Sequence, residues 1–368
     1  MRHPFTLRSA ATLAASLSLL LAACDLLDGK AASSGSGEPW VGKPLDSLVN
    51  ASALAFAGGK LYVANGQAAD PGVAEVDTAT GLITTYYETF IPPAGLALTS
   101  SGKLIVTETD YVSGAISVID LVTKSIQREV LPFGTDPGIA ATDGKVFLFD
   151  HTSGAVTGFT GNVPGSNVVF DVQAGAGSNP YAIAIANGKA WVTRYNQSSL
   201  LILNDASALD GGTRDSIDLS AYASKTPLDT PSTAPRMASI TTQGNYVFVT
   251  LQRLNYKYAA LDTSLVVVIN ASTKAVEKTI PLSFRNAVSA EVRDGVWYVA
   301  GEQGGQGDGN HLGGVEKIDL NTRTHAGTLT TEASLGGDVV TYLPTTATGG
   351  YAIYGTGWPT YRVKKVAP

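Results

Sequence analysis

The sequence predicts an all-β fold on three observations. The chain of 368 residues is rich in turn formers, with 40 Gly and 17 Pro, while charged residues make up only 15%. A helical bundle would use far more of the long charged residues that favour helices. Fifteen Tyr stand among many Val and Thr, types that fit a pleated, half-buried surface. Finally, a short apolar strand behind a turn glycine recurs seven times: GKLYVAN at 59–65, GKLIVTE at 102–108, GKVFLFD at 144–150, GKAWVTR at 188–194, GNYVFVT at 244–250, GVWYVA at 295–300 and GYAIYG at 350–355. Its glycines follow one another every 42 to 56 residues.

Each copy reads as the second strand of a repeating unit. A strand of small apolar residues precedes it, at 53–57, 94–99, 138–142, 181–186, 237–241, 288–292 and 339–343, and a short turn joins the two as a hairpin. A third strand follows, clearest at 73–77, 115–120, 264–270 and 315–319. A turn such as TATG at 78–81 or ASTK at 271–274 then leads into a fourth, for example 275–280. One four-stranded unit of this period cannot bury both faces alone and must stack on its neighbours. Residues 40–368 are therefore expected to form a seven-bladed β-propeller of four-stranded antiparallel blades. A solenoid would repeat at one turn, and a sandwich would not restart at glycine seven times. First strands of Ala, Gly and Ile suit convergence on a narrow channel, and the aromatic second strands suit packing between blades. The last unit has strands at 339–343, 351–354 and 361–366 with little chain beyond, so its fourth strand is expected from an N-terminal strand within 40–50.

Residues 1–23 read as a signal peptide. Arg2 and Arg8 precede an apolar stretch at 9–22 that is too short for a membrane span. Leu21-Ala22-Ala23-Cys24 resembles the bacterial lipobox. The resemblance implies cleavage before Cys24, its lipidation, and an extracytoplasmic protein of the bacterial cell envelope anchored to a membrane. Residues 24–39, with GKAASSGSGEP at 29–39, read as a flexible tether. Cys24 is the only cysteine, so no disulfide staples the body. Net charge is −6 with no run of Lys and Arg, which excludes nucleic acid as the main partner. Membrane contact is expected through the lipid anchor only, and a monomer is expected.

GAISVIDLVTK at 114–124 and GTDPGIA at 134–140 resemble the YVTN-type repeat of bacterial surface-layer and periplasmic propellers, and the likeness extends over 51–366. It implies the blade. The wider family includes binding proteins of undefined partner, lactonases and quinoprotein dehydrogenases, so the motif does not specify a ligand.

Loops from second to third strands share a face with those leading into the next first strand. Two are long, at 252–263 and 302–314, and long loops on a rigid ring are where ligands are usually met. The function read is a binding protein for an envelope protein, peptide or polymer, with Arg194, Tyr195, Arg236, Arg253, Tyr256, Tyr258, Arg285 and Trp358 as contacts, because arginine and aromatic side chains dominate interfaces. Arg194, Tyr195, Arg236 and Arg285 around the channel mouth would also suit an anionic or polar small molecule. The plainer role of these arginines is pairing with Asp150, Asp136 and Asp338. The alternative function is a metal-dependent, lactonase-like hydrolase in which Glu108, Asp150, Asn179 and Asn286 hold a divalent metal that polarises a carbonyl. Otherwise no cofactor and no catalytic residue is indicated. His3, His151, His311 and His325 are scattered, and there is neither a G-x-S-x-G elbow nor a thiol in the body. His151 and His311 read as solvated. Asp308-Gly309-Asn310-His311 is only faintly like a calcium loop, with Leu312 in the next ligand position.

Overall fold

The computed structural model describes residues 40–160, 167–226, 232–302, 310–357 and 360–367. The leader, the tether, Cys24 and Trp358 lie outside the described residues. Blade 1 comprises β1 (Ala51–Ala57), β2 (Lys60–Asn65), β3 (Gly72–Asp77) and β4 (Ile83–Glu88); blade 2, β5 (Pro93–Leu98), β6 (Lys103–Thr109), β7 (Gly114–Asp120) and β8 (Ser125–Pro132); blade 3, β9 (Pro137–Thr142), β10 (Lys145–Asp150), β11 (Ala155–Phe159) and β12 (Val168–Gln173). Blade 4 comprises β13 (Pro180–Ala186), β14 (Lys189–Arg194), β15 (Ser199–Leu203) and β16 (Arg214–Asp218); blade 5, β17 (Met237–Gln243), β18 (Tyr246–Leu251), β19 (Leu265–Asn270) and β20 (Val276–Pro281); blade 6, β21 (Ala287–Arg293), β22 (Val296–Gly301), β23 (Gly314–Asp319) and β24 (Thr324–Thr331). After one helical turn, α1 (Glu332–Leu335), blade 7 has β25 (Asp338–Pro344), β26 (Gly350–Gly357) and β27 (Thr360–Val366). Strands pair in chain order within each sheet. Each innermost strand lies beside that of the next blade, and β25 returns to β1. The expected seven-bladed propeller is the fold. Among the described residues no helix is long and apolar enough to cross a membrane.

The second strands fill the spaces between blades. Phe147, Phe149, Trp191, Phe248, Trp297 and Tyr298 are fully buried, and each joins a cluster that spans neighbouring sheets, such as the one joining Phe147 and Phe170 of blade 3 to Val192 of blade 4. Phe147 meets Phe170 edge-on at 5.6 Å. A Cβ at Gly158 would come within 2.6 Å of the Phe147 ring, so β11 needs a glycine there.

The turn between third and fourth strands also repeats, as DTATG at 77–81, DLVTK at 120–124, NASTK at 270–274 and DLNTR at 319–323. Its first side chain accepts the amides two and three residues on, at 2.9–3.1 Å in all four, and its fifth residue is left-handed, with φ of 72°, 57°, 59° and 58°. Where that fifth residue is basic it reaches back to an acid of the preceding blade: Lys124 to Glu75, Lys274 to Asp215, and Arg323 to Glu277 at 3.3 Å. Glu75 is buried. Burial raises its carboxyl, but Lys124 together with Thr84 and Tyr87 outweighs this and holds it below its ordinary value.

Ring closure uses the expected N-terminal segment in a different form. The amides of Gly42 and Leu45 donate to the carbonyls of Ile83 and Gly81, and Ile83 donates to Lys43, so 42–45 runs along β4 of blade 1. Residues 46–50 reach blade 7: Arg362 Nη1 donates to the Asp46 carbonyl at 3.2 Å, Tyr361 N–H donates to the Val49 carbonyl at 2.9 Å, and Asn50 makes one parallel bridge to Tyr361. Blade 7 is thus three-stranded among the described residues, and the expected antiparallel fourth strand is replaced by this bridge. Side chains complete the closure. Trp40 stacks on Tyr86 at 5.6 Å, and Leu48 packs with Leu61 and Val76 of blade 1 and with Tyr351, Ile353 and Val363 of blade 7. Leu48 is fully buried, so Leu48→Ala should cost about 3 kcal/mol by the usual range for such cavities, measured as a lower urea midpoint with unchanged slope.

Candidate functional site

One backbone bond builds the channel mouth on the loop-bearing face. In blades 1 to 6 the residue at or just beyond the end of the second strand donates its N–H to the carbonyl of the residue just before the first strand: Gly66 to Asn50, Thr109 to Pro92, His151 to Asp136, Tyr195 to Asn179, Gln252 to Arg236 and Glu302 to Asn286, at 2.7–3.4 Å. These six side chains therefore occupy equivalent places around the rim. Blades 1 and 2 offer Gly66 and Thr109; blades 3 to 6 offer an imidazole, a phenol, an amide and a carboxylate. Asn179, Arg236 and Asn286 have positive φ of 53°, 60° and 46°, a conformation that costs a non-glycine residue about 1 kcal/mol or more.

Bulges then aim side chains inward. Pairing slips between Pro180 and Ile183 in β13 and between Met237 and Ile240 in β17. The displaced amides of Ala182 and Ser239 are both accepted by hydroxyls of the second strands, Thr193 and Thr250, at 2.8 Å. The bulge in β13 carries Tyr181, where β9 has Gly138 and β17 has Ala238.

The outcome is a row of stacked groups across blades 3 to 5. His151 lies 4.8 Å from Tyr181, which stacks on Tyr195 at 5.0 Å and 27°. The Arg236 guanidinium lies 5.4 Å from the Tyr195 ring and 4.3 Å from the Tyr258 ring. Tyr195 Oη donates to Gln252 Oε1 at 2.6 Å, and Arg236 Nη1 to Asn196 Oδ1 at 2.8 Å. Burial pushes the Tyr195 phenol up, with Tyr181 adding to it. Gly138 leaves room for the imidazole, since a Cβ there would stand 2.7 Å from His151 Nε2. His151 Nδ1 and Arg236 Nε are buried without hydrogen-bond partners. The row is open to solvent at Tyr181, 41% exposed, and at Tyr258, 57% exposed.

Of the contacts expected from sequence, Tyr195, Arg236 and Tyr258 come together here. Tyr256 is exposed nearby in the chain, with Lys257 over its ring at 5.3 Å. The other arginines donate mainly to backbone carbonyls, of their own and of neighbouring loops. Arg194 donates to the Ser199 carbonyl and hydroxyl and to the Ala174 carbonyl, rather than pairing with Asp150. Arg253 donates to the Tyr222 and Thr263 carbonyls and lies 3.9 Å from Asp262. Arg285 donates to the Ala260 carbonyl. Tyr181 and His151 belong to the row although sequence did not single them out as contacts. The available signal for Tyr181 was an aromatic at the place where the first strands of blades 3 and 5 carry Gly138 and Ala238.

Of the oxygens named for a metal, those of Asp150 are taken up by its own turn. Asp150 Oδ1 accepts the Thr152 and Ser153 amides, and Oδ2 accepts the Ser153 hydroxyl. Asn286 Nδ2 donates to Glu302 Oε1 at 2.7 Å. Glu108 is fully buried. Asn179 gives its backbone carbonyl to Tyr195, while its side-chain oxygen is buried without a hydrogen-bond partner. Among the described residues no three His, Cys, Asp or Glu side chains converge as a metal site. Across the mouth, His311 Nδ1 lies 3.1 Å from Asp338 Oδ1, while Glu332 accepts the amides of Gly313 and Val339.

No family model matches the chain, and no curated protein matches it. Solved structures do. Virginiamycin B lyase from Staphylococcus aureus is similar at 13% identity, over 87% of this chain and 95% of that one, with a TM-score of 0.58. A protein of Bacteroides uniformis assigned as a 6-phosphogluconolactonase is similar at 13% identity, over 75% and 83%, with a TM-score of 0.51. A chain of the mitotic checkpoint complex is similar at 11% identity, over 92% and 100%, with a TM-score of 0.60. At such identities the likeness is one of fold, and these folds serve a lyase, a lactonase assignment and a protein assembly.

Burial pushes the Glu108 carboxyl up to about 6, against the pull of Ser117 and the Ile91 backbone. A folded-state value above the ordinary 4.5 means that ionised Glu108 weakens the fold: the cost is absent below about pH 4.5 and complete above about pH 6. Glu108→Gln should therefore stabilise by about 2 kcal/mol at pH 8 and by nothing at pH 4, read from urea unfolding at both values.

Proposed function

We propose that the protein is a binding propeller of the bacterial cell envelope, whose loop-bearing face engages a peptide segment or polymer presenting ring faces. The observation that carries this reading is the row His151, Tyr181, Tyr195, Arg236 and Tyr258, with neighbours 4.3–5.4 Å apart and Tyr181 and Tyr258 exposed. Such a row suits a ligand that stacks, because its groups are already held by each other, by Gln252 and by Asn196, and little side-chain freedom remains to be lost on binding. Arg236 sits in the middle with two rings against it, the setting in which a guanidinium adds most to an interface. With Asp150 taken up by its own turn and no three acidic, imidazole or thiol groups converging among the described residues, a metal-dependent hydrolase has no comparable support.

With a photo-crosslinking residue at Tyr256 in living cells, the captured species should fall at least tenfold when Arg236→Ala or Tyr258→Ala is added. Capture of the same species at the same yield in both variants would remove the proposed face. Envelope anchorage rests on the lipobox-like Leu21–Cys24 motif. Cys24→Ser should shift the chain from the membrane fraction to the soluble fraction, and a protein that still pellets with membranes would refute lipid attachment at this cysteine.

A further inference from the structure

Arg236 differs from the other arginines of the loop face in what surrounds its charge. It stands just before the first strand of blade 5, where blades 1 to 4 and 6 carry Asn50, Pro92, Asp136, Asn179 and Asn286, so it is the one base among these rim positions. Only 8% of it is exposed. The guanidinium lies 5.4 Å from the Tyr195 ring and 4.3 Å from the Tyr258 ring, and Nη1 donates to the neutral amide oxygen of Asn196 at 2.8 Å. Nε is buried without a partner, and Nη2 donates to none of the described residues. The pairing with Asp136 that sequence suggested is not formed, and no other carboxylate among the described residues takes its place.

A cation so far removed from water is compensated in part by π faces. An opposite charge that also accepts its hydrogen bonds supplies the rest. The unused donors are the right ones for this, since Nε and Nη2 form the side-on edge of a guanidinium that takes both oxygens of a carboxylate. A single charge is the match for a single base, because Arg194, Arg253 and Arg285 donate to carbonyls elsewhere. The polar groups beside the row are already spent. Gln252 accepts from Tyr195 and donates to the Ala287 carbonyl, and Asn196 accepts from Arg236 and donates to the Gly177 carbonyl. Rings and one charge remain on offer, which suits an aromatic ring with a carboxylate better than the many hydroxyls of a sugar.

We infer that the ligand of this row is a peptide segment in which a carboxylate adjoins an aromatic side chain, the ring stacking on the exposed Tyr258 and the carboxylate pairing with Arg236. The inference rests on the stacking reading of the row given above and adds the charge that the ligand must carry.

The probes are two pairs that differ only in charge: N-acetylphenylalanine with its amide, and acetyl-Phe-Glu-amide with acetyl-Phe-Gln-amide. They are titrated into the full chain at pH 7 and followed by ligand-observed NMR. In at least one pair the acid should bind at least tenfold more tightly; a lead in the first assigns a carboxyl terminus and a lead in the second an internal acidic residue. Added salt should narrow that lead in the unaltered protein without weakening the neutral partner. Arg236→Gln should bring acid and neutral form together, and because their ratio is read, a general loosening of the row does not imitate this result. Equal binding within both pairs, or a lead that survives Arg236→Gln, overturns the ion pair and leaves the stacking row in place. Failure of every probe to bind overturns the row as well, and oligogalacturonate binding more tightly than all of them overturns the assignment to a peptide.

Discussion

Convergence of seven innermost strands on one axis limits the size of every side chain placed there, and that steric limit organises the rest of the molecule. Near the axis the strands carry mostly Ala, Gly, Ser and Thr, or tuck larger side chains between blades. Away from it the blades splay, and the second strands fill the widening gap with Trp, Tyr and Phe. A bulky or charged residue on a first strand that is not tucked between blades, as Tyr342 is, goes to the lumen or the mouth. Tyr181 and Glu291 are such residues. One is turned to the mouth by the bulge in β13, and the other stands in the channel where four other blades carry alanine.

Wedges of this kind hold together because adjacent blades share side chains rather than backbone. The clusters between sheets are apolar, and at the periphery the turn that follows the third strand adds charge. In that turn an Asp or Asn fastens the first amides, the chain swings left-handed, and the residue at the swing is either Gly81 or a base that reaches the blade before it. A left-handed Lys or Arg carries a conformational cost that glycine avoids. Lys124 offsets it by meeting the buried carboxylate of Glu75, whose charge would otherwise lack a cationic partner between two sheets.

The repeat was legible because a glycine turn and the strand behind it obey local rules that hold in every blade. Closure was less so. Sequence located the segment at 40–50, but backbone groups at 42–45 were taken by β4, a competition between two available sheet edges that no local pattern reveals. The site divides in the same way. Aromatic and arginine residues in long loops were legible as types, and Tyr195, Arg236 and Tyr258 do meet. Arg194, Arg253 and Arg285 resemble Arg236 in sequence yet satisfy nearby carbonyls, because loop geometry decides whether a guanidinium finds a carbonyl or a ring. His151 joined the row through the absent side chain of Gly138, a contact between residues whose spacing announces nothing.

Order and charge make different demands on stability at the mouth. In the row, each group is stabilised by the next, so order there follows from mutual contact and needs no ligand. The charge on Arg236 is the opposite case. Two rings and one amide oxygen hold the guanidinium in place, yet neutral neighbours replace only part of the hydration that burial removes. A rigid setting of neutral groups around a buried cation therefore opposes folding by the uncompensated part of that charge, and that part is recovered only when an anion comes to it.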